Sequence, residues 1–221
     1  MNEEMDVKSD FSETIELIKG GLEPYKRLSK TQVKILDAAR ELFSTKGFEN
    51  SSTMDIAKLA GVAEITLFRN FKSKTNLLFQ LLAPAIAKVS MPTKINKDKY
   101  LLPEEAIKDI ILERVRAFKE HNIEMTILLS ESIYHEEVRR ATKEFMIEPL
   151  KSAMRVFIQE KVNEGYFRNV DIDATIDLIY YSVLGFIINY YLLNESPESE
   201  NVEELVRTYL QVLLKGLFQH T

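Results

Sequence analysis

The stretch TMDIAKLAGVAEITLFRNF, residues Thr53–Phe71, decides the fold expected of this chain. In its first half, apolar side chains recur at helical spacing, at Ile56, Ala57, Leu59 and Ala60. Gly61 follows them, where a helix commonly ends in the left-handed conformation. A second short helix is predicted from about Glu64 to Phe71, with Leu67 and Phe71 one turn apart and facing inward. Two short helices joined at a glycine are typical of a helix-turn-helix, which presents one helix to the major groove of DNA.

The segment before this stretch supplies a scaffold, which is needed because a helix of two turns is not stable alone. Ser29 and Gln32 have the spacing of a capping box. They open an amphipathic helix with the apolar stripe Val33, Leu36, Ala39, Leu42 and Phe43. Gly47 is predicted to end this helix, with Phe48 folding back on it. Thr53 is predicted to be the N-cap of the next helix.

These residues resemble the tetracycline-repressor (TetR) family of transcription regulators. The resemblance covers roughly Lys30 to Leu82 and includes the segments ILDAARELF, FENSSTMDIAKLAGV and FKSKTNLL. It implies an all-α chain with an N-terminal three-helix helix-turn-helix DNA-binding domain and a larger helical ligand-binding and dimerisation domain. The expected boundaries are 1–28 for an N-terminal extension, 29–76 for the DNA-binding domain and 77–221 for the larger domain.

The resemblance also implies roles for side chains around the second helix. Thr53 and Lys74 are expected to contact DNA phosphates, and outward-facing side chains to meet base edges. Phe68 replaces a tyrosine of the family pattern, Asn70 replaces a common histidine, and Ala63 stands where a capping serine is usual. Loss of that cap costs the helix about 1 kcal/mol. The predicted DNA-binding residues are Thr53, Met54, Glu64, Ile65, Thr66, Phe68, Arg69, Asn70 and Lys74.

Three of these residues have a second interpretation. Arg69 is either a DNA contact or a solvated charge on an exposed helix face. Ile65 either contacts a thymine methyl group or packs against the protein. Glu64 either accepts a hydrogen bond from a cytosine N4 amine or merely tolerates the nearby phosphates.

The charge distribution agrees with a DNA-binding segment inside an acidic chain. The net charge is −5, yet residues 26–80 contain 10 Lys and Arg against 5 Asp and Glu. The positive field is therefore concentrated where phosphate neutralisation requires it. Cysteine is absent, which excludes disulfides and fits a reducing cytoplasm. No signal peptide is recognisable, and the uncharged run Leu178–Leu193 is too short and polar for a membrane span.

The N-terminal extension carries apolar residues at helical spacing, before glycines and a proline interrupt the pattern. It is either an amphipathic helix or tail packed on its own domain, or an arm that brings Lys26 and Arg27 to the minor groove. After Ser73, helices are predicted near residues 73–89, 103–121, 123–134, 136–164, 173–194 and 202–218. Pro84 and Pro149 fall within them, where they kink a helix or start a new one.

The last two predicted helices favour pairing between two copies of the chain. Small residues on the first allow a close crossing, and an apolar stripe follows the second. A homodimer is expected, because two recognition helices must reach half-sites about 34–36 Å apart. The predicted dimer interface is Ser182, Gly185, Asn189, Val202, Leu205, Val206, Tyr209, Leu213 and Leu217.

The larger domain is also expected to hold a pocket for a small, largely apolar effector. Its predicted lining is Phe118, Met125, Leu128, Tyr134, Phe145, Met146, Met154, Phe157 and Tyr181, although such residues more often belong to plain core. Glu131 and His135 lie one turn apart, where they either share a ligand or form an ordinary surface pair. No metal or other cofactor is predicted.

The function expected is therefore a cytoplasmic, ligand-responsive DNA-binding transcriptional regulator, a repressor released from a palindromic operator when the effector binds. One alternative is a DNA-binding protein without an effector, whose larger domain serves dimerisation or partner recruitment. An all-α enzyme is disfavoured, because the chain has only 3 histidines and no recognisable catalytic or phosphate-binding motif. The effector and the operator sequence are not readable from these residues.

Overall fold

The computed structural model describes residues 28–90, 102–193 and 202–215. Within these ranges the regular structure is entirely helical, which confirms the predicted all-α fold class. The α-helices are α1 (Lys30–Lys46), α2 (Thr53–Ala60), α3 (Glu64–Phe71), α4 (Lys74–Ser90), α5 (Pro103–Glu120), α6 (Asn122–Tyr134), α7 (Glu136–Thr142), α8 (Glu148–Asn163), α9 (Ile172–Ile188) and α10 (Val202–Leu214). Two π-helical segments, Lys143–Ile147 and Asn189–Leu193, follow α7 and α9.

The chain divides into two compact units, and the division differs from the boundary expected at residue 76. The first unit runs to Ser90 and also includes His121–Ile147; the second comprises Met91–Glu120 and Glu148–Thr221. The predicted N-terminal extension lies outside the described residues, apart from its last one. Compactness follows packing rather than function, so the expected boundaries of the DNA-binding domain remain a prediction.

In the first unit, α1 is the central scaffold, in contact with α2, α4 and α6. It begins at the predicted capping box: the Gln32 amide donates to Ser29 Oγ, while Gln32 Oε1 accepts from the Ser29 amide. Its buried face consists of Ile35, Leu36, Ala38, Ala39, Leu42 and Phe43. Phe48 folds back after Gly47 as predicted, with its ring centroid 5.2 Å from that of Phe43. Val33 was predicted to be part of the stripe but is 41% exposed.

In the second unit, α8 packs against α9 and α5 packs against α10. Gly165 adopts a positive φ of 78° after α8, and Phe167 returns to the core at 1% exposure. Arg116 of α5 donates two hydrogen bonds to the carboxylate of Glu203 on α10, at 2.8 and 2.6 Å. These contacts hold the last described helix against its unit.

The run predicted over residues 136–164 is helical, but the π-helical segment Lys143–Ile147 divides it into α7 and α8. Pro149, at the start of α8, was predicted to kink the helix or to start a new one, and this is confirmed. Pro149 supplies the physical reason. A proline has no amide proton to donate to the carbonyl four residues earlier, and its ring collides with that carbonyl, here that of Phe145. A widened turn at this point accommodates the ring. Pro84, in contrast, lies inside α4 without ending it.

Helix α9 and the turn after it include a stretch, Ile172–Tyr191, long and apolar enough to cross a membrane by length and composition. That is weak support for a membrane span, because core helices of globular proteins pass the same test. Only 17% of the stretch is buried within one chain. The helix therefore leaves an apolar surface that one copy of the chain does not cover.

Candidate nucleic-acid interface

Helix α3 is fixed to the first unit by the two residues predicted to face inward. Leu67 and Phe71 are both 0% exposed. The preceding α2 buries Ile56, Ala57 and Ala60, whereas Leu59, predicted to share that apolar face, is 47% exposed. Gly61 joins the helices in the predicted left-handed conformation, with φ 68° and ψ 36°. Because only the inner side of α3 is buried, its other side is available for recognition.

The N-cap of α2 is Ser52, so the prediction of Thr53 is wrong by one residue. Ser52 Oγ accepts a hydrogen bond from the Asp55 amide at 3.0 Å and donates to Asp55 Oδ2 at 2.7 Å. The spacing Ser-x-x-Asp is itself a capping signal and could have identified Ser52 from the sequence.

Thr53 is not the N-cap, and its side chain instead connects α2 to α3. Its hydroxyl Oγ1 donates to Glu64 Oε1 at 2.6 Å, joining the first residue of α2 to the first residue of α3. Ala63 precedes α3 and makes no side-chain capping bond, as expected for alanine. The Glu64 carboxylate therefore supplies negative charge at a helix N-terminus that lacks a side-chain cap, where the helix dipole favours it.

The outward side of the motif presents apolar and charged side chains together. Ile65 is 79%, Met54 64% and Phe68 43% exposed, and Glu64 and Arg69 are exposed as well. Among the described residues none forms an ion pair or hydrogen bond with the Arg69 guanidinium, so its donors are available to a ligand. Solvent exposure disfavours the packing interpretation of Ile65.

Two further predicted contacts are less accessible. Thr66 and Asn70 are half-buried. The Asn70 amide Nδ2 donates to the Thr66 carbonyl at 2.7 Å, within the same helix. Asn70 would have to give up this bond in order to reach a base or a phosphate.

Lys74 begins α4 directly after Ser73, whose hydroxyl accepts from the Asn76 amide at 3.0 Å and so caps the helix. The Lys74 ammonium lies 4.2 Å from the centre of the Phe48 ring and donates to the Glu49 carbonyl at 3.4 Å. Burial lowers the pKa of Lys74, while the charges of Glu49 and Glu131 act in the opposite direction. Its cation is therefore partly engaged by the protein before any phosphate arrives.

Beside Lys74, the ring of His135 joins the end of α6 to the turn after α1. Its Nε2 lies 3.1 Å from a carboxylate oxygen of Glu49 and 3.1 Å from one of Glu131. The predicted pairing of Glu131 with His135 is thus present, although no cluster suited to a metal ion occurs among the described residues.

The connection from α3 to α4 is very short. Lys72 has φ 62° and ψ −52°, and the Ser73 amide donates to the Phe71 carbonyl at 2.6 Å. These values correspond to a γ-turn of the rare, strained kind. Lys72 is the one described residue other than glycine with a positive φ.

The predicted pocket residues are distributed over both units. Met125, Leu128, Phe145 and Met146 belong to the first and Phe118, Met154 and Phe157 to the second; all are buried except the half-buried Phe145. Tyr134 and Tyr181 are 78% and 58% exposed, which disfavours a lining role for them. An open groove of about 320 Å³ in the first unit includes none of the predicted residues; Val33, Leu81 and Pro84 help to line it.

Tyr191 is a polar group that the sequence analysis missed. Its hydroxyl is buried and has no hydrogen-bond partner among the described residues, and its ring centroid lies 5.3 Å from that of Phe118. Burial raises the pKa of Tyr191 to about 12, so the hydroxyl remains a donor at neutral pH. Its position inside the uncharged run Leu178–Leu193 gives no signal that could have marked it.

The predicted dimer residues fall into two groups. Val202 and Val206 are only 8% and 2% exposed, so they pack within their own chain, which disfavours a dimer contact for them. Leu205 and Tyr209 are 41% and 37% exposed. Gly185 and Asn189 are exposed, Ser182 and Leu213 are half-buried, and Leu217 lies outside the described residues.

Comparison with known proteins agrees with this geometry. The family profile described as "Bacterial regulatory proteins, tetR family" matches residues 35–81, which include α2 and α3. The nucleoid occlusion factor SlmA of Vibrio atlanticus is 32% identical over 155 residues, 66% of this chain and 76% of that protein. The chain belongs to the tetR family.

Other transcriptional regulators extend the likeness. The uncharacterized HTH-type transcriptional regulator YvkB of Bacillus subtilis is 47% identical over 53 residues, 24% of this chain and 28% of that protein. The solved structure of the ketosteroid transcriptional regulator KstR2 of Mycobacterium tuberculosis superposes with a TM-score of 0.67 at 19% identity, covering 88% of this chain and 98% of that one. This tetR-family chain is a DNA-binding transcriptional regulator and not an enzyme.

Proposed function

We propose that the protein is a ligand-responsive repressor that binds a palindromic operator as a homodimer. The observation that carries the DNA-binding half is the exposed side of α3, where Arg69 has no ionic partner among the described residues and Ile65 is 79% exposed. An exposed cation next to an exposed aliphatic side chain suits the major groove, which offers guanine acceptors and thymine methyl groups.

The proposed contacts follow the sequence assignment, with the structure favouring some over others. Met54, Ile65, Phe68 and Arg69 are exposed and are proposed to meet bases or the sugar-phosphate backbone. Lys74 is proposed to contact a phosphate by turning its ammonium from the Glu49 carbonyl. Thr66 and Asn70 are proposed as secondary contacts.

Fluorescence anisotropy with DNA from upstream of the protein's own gene tests the DNA-binding half. Arg69→Ala is expected to weaken binding by about 1–3 kcal/mol. Arg168→Ala is the matched control, because Arg168 is equally exposed but lies in the second unit. Equal affinities for the two variants would contradict the assignment of Arg69. A salt-independent affinity would contradict the phosphate contacts.

The effector half is supported by the Tyr191 hydroxyl and the Phe118 ring in the second unit. A buried donor without a partner is uncommon in folded proteins and suits a ligand that offers one acceptor on an apolar body. The related KstR2 is described as a ketosteroid regulator. The effector proposed here is likewise small and largely apolar, with a carbonyl or carboxylate oxygen.

An effector releases DNA only if it prefers a conformation that binds DNA poorly. Thermal unfolding in the presence of ketosteroids and long-chain fatty acids, followed by operator release with any compound that stabilises the protein, tests this half. Tyr191→Phe removes only the hydroxyl. It is expected to keep operator binding and to lose affinity for the effector, and unchanged affinity would remove Tyr191 from the site.

The proposed homodimer is supported by the uncovered apolar surface of α9 and by the family to which the chain belongs. Leu178 is 58% exposed on α9, and Leu205 and Tyr209 are exposed on α10. Covering these side chains with those of a second copy removes apolar area from water and joins two recognition helices in one molecule.

A second candidate is a DNA-binding protein without a small effector. The 32% identity with SlmA favours it, because that relative is described as a nucleoid occlusion factor. In that case no compound would shift the unfolding temperature, and Tyr191→Phe would leave every measured property unchanged.

A further inference from the structure

The hydroxyl of Thr53 is committed within the protein. Ser52 already caps α2, and the Thr53 Oγ1 proton is donated to Glu64 Oε1 at 2.6 Å. A hydroxyl has a single proton, so it cannot donate to a DNA phosphate while this bond persists. Any effect of Thr53 on DNA recognition is therefore exerted through the Glu64 carboxylate that its hydroxyl holds.

Glu64 is correspondingly held in place. It is the first residue of α3, where the positive end of the helix dipole favours a carboxylate. The side chain is exposed, and the Thr53 hydroxyl is its one recorded hydrogen-bond partner among the described residues. An unrestrained glutamate beside DNA would turn away from the phosphates, whereas this one is tethered at the end of the recognition helix.

We propose that Glu64 is a specificity-determining residue that selects a cytosine in each half-site, and that Thr53 is its positioning residue. The proposal rests on the DNA-binding function proposed above. Glu64 then selects a base, and its negative charge is more than a repulsion that the nearby phosphates tolerate.

The chemistry of the major groove carries this assignment. A carboxylate only accepts hydrogen bonds, and the cytosine edge offers the N4 amine as a donor without an acceptor of its own. Guanine offers two acceptors and thymine one, all of which repel a carboxylate. Adenine places its N6 donor next to the N7 acceptor, so it is a poorer partner than cytosine.

The hydrogen bond from Thr53 determines how strongly the Glu64 carboxylate distinguishes cytosine from the other bases. A side chain already held in one orientation loses less conformational freedom when it meets the base, so the preference for cytosine is larger than for a mobile glutamate. A bond that only stabilised the corner between α2 and α3 would affect unfolding and leave base preference unchanged. The two roles therefore differ in a measurable quantity.

Selection of operator sequences from a randomised duplex library tests the proposal. The full-length wild type is compared with Glu64→Gln, Thr53→Val and Thr53→Ser, and with Glu41→Gln as a control that removes an exposed carboxylate from α1. Thermal unfolding of each variant records its effect on stability separately.

The wild type and the Glu41→Gln control are expected to enrich cytosine at one symmetric pair of positions. Glu64→Gln should lower that enrichment by about tenfold and shift it toward adenine, because an amide both donates and accepts. Thr53→Val should lower the enrichment severalfold, and Thr53→Ser should restore it.

Identical base preferences for the wild type and Glu64→Gln would overturn the proposal while leaving DNA binding intact. Equal preferences for the valine and serine variants would remove the positioning role of Thr53. Failure of the wild type to enrich any sequence would instead overturn the proposed DNA-binding function, and this inference with it.

Discussion

Gly61 shows how one residue fixes the angle at which the recognition helix leaves its scaffold. Its φ of 68° places it in the left-handed region, and its amide bonds back to the carbonyls of Ala57 and Lys58. A Cβ atom at this position would meet nothing within 4 Å. Any cost of substitution therefore comes from the backbone rather than from a collision.

Gly61→Ala is expected to lower the free energy of unfolding by about 1–2 kcal/mol, the cost of placing an alanine in the left-handed conformation. Urea denaturation followed by circular dichroism measures this difference. Gly61→Asn is the comparison, because asparagine tolerates this conformation better and should lose less. An alanine variant as stable as the wild type would show that the corner relaxes without strain.

Individual residues also mark the limits of the sequence analysis. The capping box at Ser29 and the glycine at position 61 were predictable, because each residue type has few structural roles at those spacings. Ser52 was also predictable as the N-cap, because Asp55 stands three residues after it in the spacing of a capping signal, although helix starts are otherwise placed from sequence only to within one or two residues. The Thr53–Glu64 bond spans two helices and depends on their crossing angle.

At the scale of the helix, the pairing of α5 with α10 depends on an ion pair that responds to pH. Hydrogen bonding to Arg116 lowers the pKa of Glu203, with a smaller opposing contribution from burial. A carboxylate whose folded pKa lies below its unfolded value of about 4.3 stabilises the fold above that value. This contribution disappears as the pH falls through the folded pKa.

Glu203→Gln is therefore expected to be less stable than the wild type at pH 7 and to approach it in stability as the pH is lowered below the unfolded value and through the folded pKa. Urea midpoints at the two ends of this pH range measure the change. Glu105→Gln is the matched control, because Glu105 is an exposed carboxylate on α5. A stability difference for Glu203→Gln that stays the same at both pH values would contradict the assigned role of the ion pair.

Periodicity predicted the helical run over residues 136–164, and Pro149 indicated that this run is kinked or divided. The apolar pattern continues through Pro149 and does not show that the division is a π-helical segment. An extra residue in one turn rotates all later side chains around the helix axis. The apolar pattern of the sequence remains recognisable despite this rotation. Only the three-dimensional path of the backbone shows where the turn widens.

For the whole molecule, α10 has two apolar faces, one buried in its own chain and one exposed. Val202, Val206, Leu210 and Leu214 are buried in their own chain. Leu205, Tyr209 and Val212 lie on another side of the helix and are 41%, 37% and 69% exposed. Periodicity identified an apolar helix, yet it could not separate the face that the chain buries from the face that stays exposed in one chain.

Val212→Glu is expected to shift the protein from dimer toward monomer, because a charge in an apolar interface is strongly disfavoured. Sedimentation velocity at micromolar concentration measures the change, and affinity for a palindromic operator should fall with it. Val156→Glu makes the same substitution on α8 at a similarly exposed position, 59% against 69%. If both variants sediment like the wild type, the exposed side of α10 is not where two copies meet.

The γ-turn at Lys72 bears on how the proposed effector would act on the proposed DNA-binding helix. Only two residues separate α3 from α4, and one of them has a backbone conformation with little freedom. Because this connection is so short, we expect α3 to follow any tilt of α4. Under the proposed function, a change of effector would then require changes only in the residues that tilt α4 and none in α3.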